Sequence, residues 1–152
     1  MRRAIALLVL TWAGAAVATA QAASPPVFTS TQADAGRAAY SAHCAECHMP
    51  DLSGNNEKPP LAGPTFMSTW GGRTTKELLD YMSGAMPFGG PSLDPAMYLA
   101  LTAYILQSNG AAAGSDALLP STAVRIGSLA CTAGANRTLE NACPAKANLT
   151  TH

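Results

Sequence analysis

The sequence predicts a small all-α fold with an irregular C-terminal extension, and three observations carry this. Segments rich in alanine and leucine, bracketed by helix-start and helix-stop residues, recur near 31–43, 74–84 and 94–109. No stretch alternates apolar and polar residues as a half-buried strand would. Beyond Gly110 the composition turns small and polar, and no periodicity survives.

The chain has 152 residues, room for one domain and a tail. Nine basic residues balance nine acidic ones, without a basic cluster. That excludes an electrostatic nucleic-acid face or a polybasic membrane patch. Aromatics make up 6% of the chain, few enough that a core of this size needs help from a disulfide, a metal or a cofactor.

Residues 1–20 read as an export signal. Arg2 and Arg3 form a positive start, "AIALLVLTWAGAAVA" is apolar, and Ala18 to Ala20 fit the small-x-small cleavage rule. Cleavage is expected after Ala20, with Ala22 or Ala23 as alternatives; the rival is an uncleaved anchor, for which the apolar run is short. Export to the periplasm then leaves a slightly acidic mature chain without a membrane span. Residues 21–30 form a proline-containing leader.

Thr31 is the expected N-cap of the first helix, with Asp34 three residues on. Gly36 costs that helix about 1 kcal/mol against alanine, which invites a close helix crossing as its reason. Met49 to Gly72 is dense in Pro, Gly and Asn and reads as a loop, too long for a small domain unless it wraps something. Thr74 and Glu77 make a capping box, Leu78, Leu79 and Met82 form an apolar stripe, and Gly84 can stop the helix. After a second loop, Asp94 caps, Pro95 suits the first helical position, and the helix runs to Asn109 and Gly110.

The chemistry lies in "CAECH", Cys44 to His48. A structural zinc wants four ligands in two tight pairs, and Cys131 and Cys143 are distant and spaced unlike a knuckle. Thiol–disulfide exchange uses C-x-x-C at a helix start after a strand, and no strand precedes this one. C-x-x-C-H is also the attachment signature of c-type haem. Two thiols one helical turn apart reach both vinyl groups of a porphyrin, and the adjacent histidine is carried under the iron. A carrier needs a second axial ligand, and methionine with histidine raises the potential. The candidates are Met67, Met82, Met86 and Met97. Met97 and Met82 fall in apolar helical stripes, and Met67 follows soon after the proximal loop. Met86 stands just past a helix end before Pro87, where a stiff loop can aim a thioether. Met86 is favoured, with Met82 the alternative.

The segments "AGRAAYSAHCAECHMPDLSG", "PPLAGPTFMSTWGGRT", "MPFGGPSL" and "YLALTAYILQSNG" together resemble a class I c-type cytochrome, over about Gln32 to Gly110. More narrowly they are similar to the small periplasmic cytochromes that accept electrons from quinoprotein (PQQ-dependent) alcohol dehydrogenases. The resemblance implies one covalently bound haem c, held by Cys44 and Cys47, with His48 proximal and Met86 distal. It implies that the Pro59 carbonyl accepts the proximal ring N–H, and that Trp70 or Arg73 donates to a haem propionate. For Trp70, core packing is the competing role. It implies that Gly36 and Tyr40 cross the last helix near Ala103 and Tyr104. The expected function is electron transfer, without catalysis, from a dehydrogenase towards an oxidase or another cytochrome. The alternatives are a haem subunit of a larger dehydrogenase, or a haem sensor or enzyme with an open sixth site. The expected organisation is a cytochrome domain at 31–110 and a tail at 111–152. Because the protein is exported, Cys131 and Cys143 are expected to pair, with free thiols or an intermolecular link as alternatives.

Overall fold

A computed structural model of the chain describes residues 26–90 and 92–130. The signal at 1–20, the first half of the leader and the expected Cys131–Cys143 pair lie outside the described residues. Those described form six helices: α1 (Ser30–His43), α2 (Ala45–His48), α3 (Pro64–Trp70), α4 (Thr75–Ala85), α5 (Pro95–Ser108) and α6 (Ile126–Ala130). The all-α expectation holds: among the described residues there is no strand, only one isolated bridge between Thr74 and Arg125. No helix among them is long and apolar enough to cross a membrane.

The frame is the crossing of α1 and α5. α5 buries Tyr98 and every residue from Ala100 to Leu106, so it is apolar nearly all round, as a central helix must be. Its start follows the sequence: Asp94 Oδ1 accepts the Ala96 N–H at 2.8 Å, and Pro95 takes the first helical position. Gly36 lies where α1 meets it. A Cβ built there would stand 1.9 Å from the Ala100 carbonyl oxygen and 2.8 Å from the Tyr104 Cβ. The helix-propensity cost of this glycine is therefore offset by close backbone approach. The ring of Tyr40, one turn on, packs against Tyr104 at 5.4 Å between centroids.

Helix α1 begins earlier than expected. Its N-cap is Thr29 rather than Thr31, and the box partner is Gln32 rather than Asp34. Thr29 Oγ1 accepts the Gln32 N–H, and Gln32 Oε1 accepts the Thr29 N–H, both at 3.2 Å. The same side-chain amide donates to the Leu118 carbonyl at 3.0 Å and accepts the Leu118 N–H at 2.8 Å. A carboxylate at Asp34 could accept but never donate, so it could not serve both ends of that strap.

The Thr74–Glu77 capping box forms as read: Thr74 N–H donates to Glu77 Oε2 at 2.7 Å and Glu77 N–H to Thr74 Oγ1 at 3.2 Å. Donation by the Thr74 amide, then by its hydroxyl, holds the Glu77 carboxyl below the usual carboxylate value. Helix α4 does not stop at Gly84; it runs to Ala85, and Met86 is its C-cap. The expected 49–72 loop contains α3, which Pro64 opens at its first turn. Seven residues offer too few repeats for periodicity to reveal.

The segment 111–130 returns over the bundle. Gly114 N–H donates to the Phe28 carbonyl at 2.9 Å. Thr75 Oγ1 donates to the Thr122 carbonyl at 2.6 Å and accepts the Val124 N–H at 3.2 Å. Ile126 N–H donates to Arg73 and Gly127 N–H to Gly71, each at 2.9 Å. Leu118, Ile126 and Leu129 are buried in the same core as α5.

Candidate haem site

Cys44 to His48 occupies a single helical turn. Cys44 ends α1, donating its N–H to the Tyr40 carbonyl at 2.9 Å, and its own carbonyl accepts from Cys47 at 3.1 Å and His48 at 2.9 Å. Both thiols are free; Cys44 is half-buried and Cys47 exposed. Burial, then the neighbouring Cys47, pushes the Cys44 thiol up from its ordinary value.

The His48 ring is buried, and its Nδ1 lies 2.9 Å from the Pro59 carbonyl oxygen. A carbonyl only accepts, so Nδ1 carries the proton and the Nε2 lone pair is left outward. Among the described residues no group hydrogen-bonds Nε2. Past the histidine the chain turns sharply, with Met49 and Leu52 both at positive φ. Tyr40 holds that turn: its hydroxyl donates to the Met49 carbonyl at 2.6 Å and leans on the His48 carbonyl at 3.2 Å. Desolvation raises the Tyr40 phenol above its ordinary value, so it stays a donor.

The loop carrying Pro59 is held from two sides. Gly54 N–H donates to the His48 carbonyl at 3.0 Å and Leu61 N–H to Leu52 at 2.9 Å. Asn55 Oδ1 accepts from Glu57 and Lys58, each at 2.9 Å. From the far end of α5, the buried Asn109 accepts the Gly63 N–H at 3.0 Å and donates to the carbonyls of Leu61 at 2.9 Å and Ile105 at 2.8 Å. Sequence reasoning read Asn109 only as a helix stop, because nothing local distinguishes a capping asparagine from one that also grips a loop 46 residues away. Asn109→Ala leaves the Gly63 N–H and the Leu61 carbonyl without partners. It is expected to cost about 2–3 kcal/mol in a denaturant titration of the full chain.

Met86 stands in extended conformation at the end of α4, half-buried, with its N–H bonded to the Met82 carbonyl at 2.9 Å. Its carbonyl accepts the Tyr98 O–H at 2.6 Å. Pro87 opens a turn closed by Gly90 N–H at 3.1 Å, and Phe88 at its tip is 85% exposed. The other methionines differ: Met67 is buried, and Met82 and Met97 lie partly buried against the core. Trp70 is half-buried between Phe66, Tyr81 and the Arg73 guanidinium, whose carbon lies 4.9 Å from the indole ring. The structure thus joins Cys44, Cys47, His48 and Pro59 in one bonded unit and Trp70 with Arg73 in another. Met86 sits on a separate segment tied to α5.

This donor set fits a covalently attached haem. Two unpaired thiols one turn apart are followed by an imidazole with one nitrogen committed and the other available. Among the described residues no cluster of three or more His, Cys, Asp and Glu side chains is built to hold a bare metal ion.

Comparison with known proteins bears on residues 31–105. The model of the family described as cytochrome c oxidase, cbb3-type, subunit III matches residues 31–105. With the all-α fold and the Cys44–His48 turn, the match supports reading residues 31–105 as a c-type cytochrome domain, which implies haem-based electron transfer. Among solved structures, the sulfane dehydrogenase SoxCD from Paracoccus pantotrophus is similar at 25% identity and a TM-score of 0.48. The match covers 73% of this chain and 55% of that one, so the chain spans about half the length of that relative. No curated protein matches the chain.

Proposed function

We propose that this protein is an exported, periplasmic one-electron carrier with a single haem c, bound through Cys44 and Cys47 and ligated by His48 and Met86. The observation that supports this most is the His48 ring, locked by Pro59 with Nε2 presented, directly after two free thiols. When bound, the haem supplies an iron that cycles between ferrous and ferric. The chain's part is to keep the surroundings nearly the same in both states. The Pro59 carbonyl fixes the tautomer and orientation of His48 and raises its basicity as a ligand. Tyr40 holds the turn behind it. In this reading Trp70 or Arg73 donates an N–H to a haem propionate. No group is asked to move a proton, which suits a carrier rather than an enzyme. Redox protein partners would dock on the apolar tip at Pro87 and Phe88, the exposed large hydrophobic nearest the distal ligand. The donor in this reading is a dehydrogenase, in the narrower reading a PQQ-dependent one, and the acceptor an oxidase or another cytochrome.

A redox titration followed by optical spectra tests this. A reversible one-electron couple is expected, with low-spin iron and the weak far-red band of ferric His/Met ligation. In Met86→Ala that band is expected to vanish and the ferrous protein to bind carbon monoxide rapidly. A wild-type protein that lacks the band and binds carbon monoxide at once would favour a sensor or enzyme with an open sixth site.

A further inference from the structure

We propose that Tyr98 is the positioning residue for the distal ligand, through a single hydroxyl that pins both ends of the segment Met86–Leu93. The proposal rests on Met86 being that ligand.

Tyr98 lies in the first turn of α5, four residues after the Asp94 cap, and only 3% of it is exposed. Its hydroxyl donates to the Met86 carbonyl at 2.6 Å and accepts the Leu93 N–H at 3.2 Å. The phenol thus spends its one proton on the start of the segment and a lone pair on its end. Among the described residues between these two points, 88–90 and 92 are exposed, and Gly90 N–H makes a turn bond to the Pro87 carbonyl. A thioether leaves a metal more readily when the segment carrying it can also shift. Here a shift must break a part-buried bond to the buried ring of Tyr98 in α5. Helix α5 is in turn set against α1 by the close approach at Gly36. The Met86 backbone is therefore referenced to the rigid frame of the molecule rather than to its own loop.

Tyr98→Phe keeps the ring and removes both bonds. In the haem-loaded full chain its global unfolding should stay close to wild type. The far-red band should instead fade at a temperature below global unfolding. Added imidazole, competing with the thioether for ferric iron, should bind about three- to tenfold more tightly than to wild type, the worth of a hydrogen bond or two. Unchanged imidazole affinity, in a background where Met86→Ala abolishes the band, would overturn the role of Tyr98 and leave the ligand assignment standing. A band that persists in Met86→Ala would remove the assignment and the proposal together. Should Tyr98→Phe fail to fold, amide exchange on the wild-type holoprotein decides. Slow exchange at Leu93 against fast exchange at Ser92 supports the clamp, and equally fast exchange at both overturns it.

Discussion

Cys44→Ala combined with Cys47→Ala is expected to give a protein whose pigment is lost entirely to acidified acetone, whereas the wild-type pigment stays with the polypeptide. The argument is covalent. A haem held only by axial ligands dissociates once acid protonates the imidazole, but a thioether does not respond to acid. Each single variant retains one bond and should keep its colour through the extraction. Their spectra should differ from wild type, because one vinyl group then stays unsaturated. The cysteines carry little of the apoprotein fold: Cys47 is exposed and Cys44 half-buried. Loss of pigment in the double variant is therefore a statement about attachment, provided the helix content of the apo forms agrees. Wild-type protein that surrendered its pigment to acid, or emerged from export colourless, would end the reading of this chain as a covalent haem carrier.

Gly36→Ala is expected to be the most damaging single-methyl addition in the described structure. The added carbon would stand 1.9 Å from the Ala100 carbonyl oxygen, which is backbone and has no rotamer to yield. Helices α1 and α5 must separate, and the cost propagates to the Tyr40–Tyr104 contact one turn away. Overpacking of this kind costs about 3 kcal/mol or more at a rigid site. For a domain of this size that lowers the melting temperature by roughly 12–24 °C. Gly72→Ala is the control, since a Cβ there meets nothing within 4 Å. Its change should stay within about 1 kcal/mol. Equal stability of the two variants would mean the helices do not cross at Gly36 as described.

Much of the fold was legible because its signals are short. Capping works between a residue and its neighbour two or three along, so Thr74 with Glu77 and Asp94 before Pro95 could be read directly. The same logic misplaced the start of α1 by two residues. Thr29 and Thr31 are both acceptable caps, but Gln32 completes a local capping box with Thr29, and the same amide is tied to the Leu118 backbone, 86 residues away. Helices α3 and α6 escaped for a related reason: seven and five residues carry no period, and their stability comes from what they pack against. In the candidate site, Cys44, Cys47 and His48 were visible as a motif because one helical turn is a local object. Asn109 and Tyr98 were not, since each acts on backbone groups that its own neighbours in sequence do not reveal.

By itself the sequence determined the helical class, two of the three expected helix starts, and the single turn carrying two thiols and an imidazole. All of these follow from bonds and contacts spanning a few residues. Only the tertiary structure decided that the chain beyond Gly110 returns to bury Leu118, Ile126 and Leu129, and that an asparagine capping α5 and a tyrosine within it grip the two loops beside the candidate site. Such contacts join residues whose partners are chosen by packing, and the free energy that selects them exists only once the helices have met.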